Sequence, residues 1–383
     1  MPRALLPVAA DASVMLTALR SALDGSGPAV LPLQAGTQAA AMTVDERVAL
    51  VIETSGSTGV PKRVALSAEA LLASAEGSAV ALGGAQAGVH SSQWVLALPT
   101  HYIAGVNVLL RSIVAGTEPV VMPAGSFDAE TFCRRVDSIT ADTGFAALVP
   151  AQLQQLVNAA EARGAVRDAL TSLGGLLVGG QATPTALLDR SAALGIRVVR
   201  SYGSSETAGG CLYDGVPFSD VGTRLVDGEL ELSGPVLAEG YLGESDRTAA
   251  SFPVRDGARW YRTGDTAEIV DGVVRVTGRA DNVIISGGIN ISLDRVQAVV
   301  RSVRGLDDAL LVSVPDERFG QASVIVVTGS PTNGDDALLQ DARSAVESAL
   351  GRAARPARLF RVGAVPLLAS GKPDIATIRT RLV

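Results

Sequence analysis

The sequence predicts an α/β protein. It reads as a large N-terminal domain of mainly parallel, helix-covered sheet, a small β-rich region after it, and a small C-terminal α+β unit. Three observations predict this. Between residues 48 and 201, short apolar runs alternate with helical segments, the pattern of parallel strands covered on both faces. After Gly210 the texture turns to antiparallel strands with tight turns, among them Asp271-Gly272. The residues that follow Arg279-Ala280-Asp281 carry strands and helices of their own, so the domains are drawn at 1–280 and 281–383. A chain of 383 residues is too long for one small core, which agrees with two units.

In chain order, residues 1–46 are rich in Ala, Pro and Gly and predict only a helix near 13–23. A buried strand follows at 48–53, and Ser67 caps an Ala-rich helix that runs to about Leu82. Strands are expected at 94–98, 118–122, 144–149, 173–178 and 196–201. Helices at 105–114, 128–140, 151–162 and 184–194 lie between them. The β-rich region contributes 229–233 and the hairpin 267–270/273–277. The last unit reads as helix 293–303, strands 309–314 and 323–328, helix 335–350, strand 358–362 and helix 374–382.

Composition narrows the function. A net charge of −7 without a long basic run argues against nucleic-acid binding. Cys133 and Cys211 are too few and too scattered for a disulfide framework or a zinc site. No run approaches the ~20 apolar residues of a membrane span, and the N-terminus lacks a signal-peptide apolar core, so the expectation is a cytoplasmic protein. Only two of the 32 basic residues are lysines, Lys62 and Lys372, each in a glycine-containing stretch. A chain that otherwise uses arginine has kept a compact ammonium at two places.

Lys62 ends Thr54-Ser55-Gly56-Ser57-Thr58-Gly59-Val60-Pro61-Lys62. Glycines let backbone N–H groups converge, hydroxyls add donors and the lysine adds a point charge, which together suit a chain of phosphates. The pattern is neither a Walker A loop nor a dinucleotide fingerprint; a plain polar turn is the alternative. Ser201-Tyr202-Gly203-Ser204-Ser205-Glu206-Thr207 follows the last strand of the parallel series, where open α/β sheets bind ligands. Glu206 there suits Mg²⁺ bridging to phosphate, although a lone loop carboxylate is usually just solvated. Asp265 in Tyr261-Arg262-Thr263-Gly264-Asp265 suits paired ribose hydroxyls, and Arg279 in Gly278-Arg279-Ala280-Asp281 suits the same sugar or a phosphate. Surface ion pairs are the alternative for both.

These stretches and Ser370-Gly371-Lys372, five motifs in order from about residue 48 to the end, resemble the acyl-adenylate-forming superfamily of acyl-CoA synthetases, luciferases and peptide-synthetase adenylation domains. The resemblance implies a small mobile C-terminal lid hinged at Asp281. It also implies the reaction: a carboxylate and MgATP give an acyl-adenylate and pyrophosphate, then the CoA thiol displaces AMP. It implies that Thr54, Ser55, Gly56, Ser57, Thr58, Gly59 and Lys62 hold the β- and γ-phosphates. Gly179, Gly180 and Gln181 lie against adenine, and Tyr202 stacks on the base, within the nucleotide site of Ser201, Gly203 and Thr207. It further implies that Glu206 binds Mg²⁺, that Asp265 holds the ribose with Arg279 beside it, and that Ser286, Gly287 and Gly288 line a pantetheine tunnel. It implies too that Lys372 bridges the carboxylate and the α-phosphate, where two anions must meet.

Within that superfamily, the run from Tyr202 to Gly215 and the short length resemble the 2-succinylbenzoate–CoA ligases of menaquinone biosynthesis. The resemblance places His101, Asn107, Ser204 and Ser205 at the acid site, with His101 as a gating or acyl-contacting ring. A second carboxylate on the acid needs a cation, and Arg111 and Arg224 are the candidates; a helix-surface role for Arg111 is the alternative. The implied partners are a small carboxylic acid, ATP and CoA, and a homodimer is compatible. The competing reading is another aryl- or acyl-CoA synthetase, or an adenylation enzyme that loads a carrier protein. Arg63, where relatives usually have glycine, would add a phosphate contact or face solvent.

Overall fold

The computed structural model describes all residues except 1, 35, 38, 41, 55–61, 84–91, 367–372 and 383. The phosphate-loop residues Ser55, Gly56, Ser57, Thr58 and Gly59, and Lys372, therefore lie outside the described residues.

Two sheets form the large N-terminal part. In one, Val198–Ser204, Gly175–Val178, Thr143–Leu148, Ser92–Leu96 and Val120–Val121 run side by side in parallel, with Gly209–Tyr213 and Val216–Pro217 added antiparallel at one edge. Apolar runs make these strands, and the outer face is closed by Ala129–Val136, Pro150–Ala162, Gly164–Thr171 and Thr185–Ala193 through Phe132, Leu153, Leu156 and Leu187. Asp128 caps the first of these helices by accepting from the Thr131 N–H at 2.8 Å.

The second sheet is mixed. Its order is Gly240–Tyr241, Lys62–Ser67, Val48–Thr54, Ala29–Leu33, Arg3–Ala9, Met42–Val44. Three of these strands come from the first 46 residues, where only a helix was expected. The strand at 48–53 therefore belongs to a different sheet from the parallel series. Val48–Thr54 and Lys62–Ser67 pair antiparallel with Thr54 opposite Lys62, so the glycine-rich stretch joins two strands and does not lead straight into a helix. The helix follows one strand later, at Ala68–Gly83, where Ser67 Oγ accepts from the Ala70 N–H as expected.

The helices Ala68–Gly83 and Ile103–Ala115 pack together between the two sheets. Leu50, Ile52, Leu71, Leu109, Leu110 and Leu212 join both sheets and both helices in one core. Burial of a Leu or Ile side chain contributes roughly 1.5–3 kcal/mol, so this layer fixes how the sheets face each other.

The β-region is antiparallel, in the order Gly222–Val226, Glu229–Ser233, Ala258–Val270, Val254–Arg255, with Val273–Arg279 paired to Ala258–Val270. Asp271 and Gly272 both take positive φ at its turn, the conformation of a two-residue hairpin. Val273–Arg279 ends this sheet, and Val283–Ser286 opens another with Ile289–Ser292, Gly320–Thr328, Leu310–Asp316 and Arg358–Val362. Helices Leu293–Val300 and Asp335–Leu350 cover that sheet through Val296, Val300, Ala342 and Val346, and Ile375–Leu382 covers its other side. Both expected ranges 335–350 and 358–362 recur as Asp335–Leu350 and Arg358–Val362.

Candidate active site

The parallel strands deliver their carboxyl ends to one side of the molecule, and most of the expected nucleotide residues are gathered there. Ser201, Tyr202, Gly203 and Ser204 close the strand Val198–Ser204, and Gly179, Gly180 and Gln181 follow its neighbour Gly175–Val178. The Tyr202 hydroxyl donates to Asp265 Oδ2 at 2.5 Å, and Arg279 Nη1 donates to Asp265 Oδ1 at 3.1 Å. Strand pairing accounts for this meeting, because Asp265 and Arg279 face each other across the Ala258–Val270/Val273–Arg279 ladder.

Burial pushes the Asp265 carboxyl up, against the opposing pull of Tyr202 and Arg279. Burial raises the Tyr202 phenol strongly, reinforced by the Asp265 charge, so its hydroxyl stays protonated and donating. A carboxylate has about four lone-pair positions. One neighbour on each oxygen leaves room for two ribose hydroxyls. Arg279 also contacts Asp281 at 3.1 Å, and Asp281 is held below the usual carboxylate range first by Arg279, with Lys62 among the lesser causes.

Glu206 occupies a 3₁₀ turn, Ser205–Thr207, and is buried. The turn is closed from inside. Thr207 Oγ1 accepts from the Ser204 N–H at 2.9 Å and donates to Gly209 O at 2.7 Å, so Thr207 shapes the loop and has no free hydroxyl proton. Gly209, at φ +100°, lies so close to Asn107 that a Cβ there would sit 1.8 Å from Asn107 Nδ2. Asn107 Nδ2 donates to Ala208 O at 3.0 Å, while its buried Oδ1 has no partner.

The Tyr241 hydroxyl donates to Glu206 Oε1 at 3.0 Å, and Lys62 Nζ lies 5.4 Å from the Tyr241 ring centroid. Tyr241 thus joins the lysine expected at the phosphates to the carboxylate expected at the metal. Its phenol is raised by burial and then by Glu206, and that of Tyr261 by burial and then by Glu206 and Tyr241. Tyr241 lies in none of the sequence motifs. A signal was available, since the chain has only five tyrosines, Tyr102, Tyr202, Tyr213, Tyr241 and Tyr261, and all five touch residues of this site or of the cavity described below.

His101 lies half-buried against Tyr102, 4.1 Å between ring centroids, just before the helix Ile103–Ala115. Burial lowers its pKa and so favours the neutral ring. Ser286, Gly287 and Gly288 form the turn between Val283–Ser286 and Ile289–Ser292, with both glycines at positive φ and the exposed Phe319 ring beside Gly287.

Arg111 corrects the helix-surface alternative. It is 6% exposed and lines a cavity of about 230 Å³ between Ala68–Gly83, Ile103–Ala115 and the amino ends of the parallel strands. Its guanidinium lies 4.8 Å from the Trp94 ring centroid, and Phe145 stacks on Trp94 at 5.2 Å. No carboxylate pairs with Arg111 among the described residues. Arg197 also lines the cavity. Ile103, Asn107 and Arg111 are spaced four residues apart, hence on one helix face. At about 1.5 Å rise per residue, Arg111 lies roughly 12 Å along the axis from Ile103.

Arg224 is already engaged, donating twice to buried Glu231 at 2.9 and 2.7 Å and lying 3.9 Å from the Trp260 ring centroid. Arg63 is partly exposed, and its Nε donates to Glu53 at 2.8 Å across the hairpin. The described residues contain no group of three or more metal-ligating side chains, and no helix among them is long and apolar enough to cross a membrane.

Comparison with known proteins adds to this geometry. Residues 8–242 match the AMP-binding enzyme family, and residues 295–372 match the AMP-binding enzyme C-terminal domain. A probable 2-succinylbenzoate–CoA ligase of Mycobacterium tuberculosis is 35% identical over 390 residues, covering 98% of this chain and 97% of that protein. Among solved structures, E. coli MenE with bound OSB-AMS superposes with a TM-score of 0.67 at 25% identity, covering 93% of this chain and 73% of the other. The o-succinylbenzoate CoA synthetase MenE of Bacillus subtilis, in complex with the acyl-adenylate intermediate OSB-AMP, gives a TM-score of 0.75 at 20% identity. It covers 99% of this chain and 87% of the other, and speaks to the fold alone.

Proposed function

This chain belongs to the AMP-binding enzyme family, and within it we propose an ATP-dependent, AMP-forming acid–CoA ligase that converts 2-succinylbenzoate to its CoA thioester. The near-full-length likeness to a probable ligase of that name supports the reaction. The observation that carries the choice of acid is Arg111, a buried cation with no carboxylate partner among the described residues, facing a cavity walled by Trp94 and Phe145. An acid activated through one carboxylate needs such a cation for its second. The aryl end suits the aromatic walls.

Asp265 accepts the ribose hydroxyls, steadied by Tyr202 and Arg279. Tyr202 and the 179–181 turn flank the base, and Lys62 with residues 54–59 holds the β- and γ-phosphates. Glu206 fits Mg²⁺, since magnesium takes one or two carboxylates with phosphate oxygens and, among the described residues, Glu206 Oε1 accepts only from the Tyr241 hydroxyl. Bound there, the ion would neutralise phosphate charge. Lys372 offsets the repulsion between the acid's carboxylate and the α-phosphate as the carboxylate oxygen attacks phosphorus and pyrophosphate leaves. The CoA thiol, led past Ser286, Gly287 and Gly288, then gives its proton to solvent, attacks the acyl carbon and expels AMP. His101, neutral, and Asn107 line the acid's path with Ser204 and Ser205.

Residues 1–280 form the ATP- and acid-binding domain, and residues 281–383 form a lid that turns about Asp281. Lys372 and the 286–288 turn belong to one lid and serve successive steps, so rotation presents each in turn. The test is pyrophosphate release with ATP, CoA and 2-succinylbenzoate. Release with that acid and thioester formation on CoA support the proposal. Release only with other acids contradicts the substrate, and a thioester formed on carrier protein but not on CoA contradicts the acceptor.

A further inference from the structure

Arg111 faces its cavity from in front of two hydroxyls that do not line it. Arg111 Nε donates to Ser78 Oγ at 2.9 Å, Nη2 donates to the Tyr213 hydroxyl at 3.2 Å, and the two oxygens lie 2.6 Å apart. Ser78 sits on the helix Ala68–Gly83 and Tyr213 ends the strand Gly209–Tyr213, so three elements converge on one guanidinium. The Tyr213 ring meets Phe218 edge-on, with centroids 5.0 Å apart, and is buried.

This arrangement has two consequences. An arginine otherwise keeps considerable rotamer freedom, and fixing one edge of the fork through Nε and Nη2 sets the plane in which the remaining N–H donors point. Bidentate pairing with a carboxylate depends on that plane. The partners are also neutral. A glutamate at either position would cancel the guanidinium charge, whereas a serine and a phenol satisfy donors and leave the cation uncompensated in a desolvated place. Such a charge favours an anionic group entering the cavity.

We infer that Tyr213 and Ser78 are positioning residues that, through Arg111, make the enzyme select acids bearing a second carboxylate. The inference rests on the reading that Arg111 receives that carboxylate. It adds residues outside the cavity as determinants of specificity.

The test compares 2-succinylbenzoate with 4-oxo-4-phenylbutanoate, the same keto acid without the ring carboxylate, in ATP–pyrophosphate exchange. Tyr213→Phe keeps the ring packed on Phe218 and removes only the hydroxyl. Ser78→Ala does the same at the other contact, and Ser78→Thr restores an oxygen. The selectivity ratio in kcat/KM should fall about tenfold in each hydroxyl deletion, as expected for lost hydrogen bonds to a charged group. The loss should fall on the diacid alone, with partial recovery in Ser78→Thr. Equal losses on both acids would mean a general structural role and overturn the inference. A wild-type preference for the diacid that survives both deletions overturns it while leaving the Arg111 reading intact. A wild-type preference for the monoacid overturns both.

Discussion

The two ends of the parallel sheet handle charge in opposite ways. At the carboxyl ends, Asp265 is met by Tyr202 and Arg279, Asp281 by Arg279, and Glu206 by Tyr241. At the amino ends, Arg111 is surrounded by a serine, a phenol and an indole and has no carboxylate among the described residues. The first region has more carboxylate than cation, with Arg279 shared by Asp265 and Asp281 and a neutral phenol on Glu206, which suits ribose hydroxyls and a cation. The second holds an uncancelled charge, which suits an anion. Glu206 and Arg111 are both buried beside neutral hydroxyls, so the sign of the charge, more than depth, tells what each region is built to receive.

The largest effect expected is on neither region but on Lys372, the lysine proposed to serve the reacting atoms. Lys372→Ala should lower acyl-adenylate formation by about 10³-fold, the scale of losing a preorganised transition-state donor. Transfer of a preformed acyl-adenylate to CoA should persist, and single-turnover assays of the two half-reactions separate these. Equal loss in both would remove the division of labour assigned to the lid.

Asp265→Asn tests the carboxyl-end region. An amide cannot accept two ribose hydroxyls as a carboxylate does, so the ATP KM should rise by at least about tenfold. The sign for stability is the reverse. Burial raises the Asp265 pKa in the fold. The folded chain therefore holds that proton more tightly than the unfolded one, and the stability this gives is lost as pH rises through the raised folded value. At neutral pH the ionised, half-desolvated carboxylate is a cost, so the ligand-free Tm of Asp265→Asn should hold or rise slightly. A Tm that falls by several degrees would show that the Tyr202 and Arg279 contacts outweigh the burial.

The smallest effect concerns the junction of the sheets. Asp281→Pro fixes φ at the proposed hinge and should slow thioester formation severalfold more than adenylation, measured as separate half-reactions. Equal slowing, or none, would place the turning point elsewhere.

Much of this was legible in the sequence because the motifs are local. Ser201 to Thr207 and Gly278 to Asp281 each keep their candidate site residues within a short stretch, and regular alternation marked most of the parallel strands. What escaped depends on distant pairing. Tyr241 reaches Glu206 only because the two-residue strand Gly240–Tyr241 pairs with Lys62–Ser67. Ser78 and Tyr213 meet Arg111 from 33 and 102 residues away. The strands Arg3–Ala9 and Ala29–Leu33 each contain a proline, Pro7 and Pro32, which weakens a strand pattern read from composition. Lys62–Ser67 begins with two basic residues beside the glycine-rich stretch and shows its apolar character only from Val64 onward. The hairpin Val283–Ser286/Ile289–Ser292 was hidden because Gly287-Gly288 reads as a binding loop as readily as a turn.

The contrast between the two ends is tested most directly with Arg111→Met, which keeps an apolar side chain of similar reach and removes the charge. With 2-succinylbenzoate as the varied acid, kcat/KM should fall about 100-fold, the order expected when a charged hydrogen-bonding partner is removed, while the KM for ATP stays within about twofold. An unchanged kcat/KM for the diacid, or a rise in the ATP KM matching the loss, would contradict the assignment of Arg111 to a separate, anion-receiving end of the site.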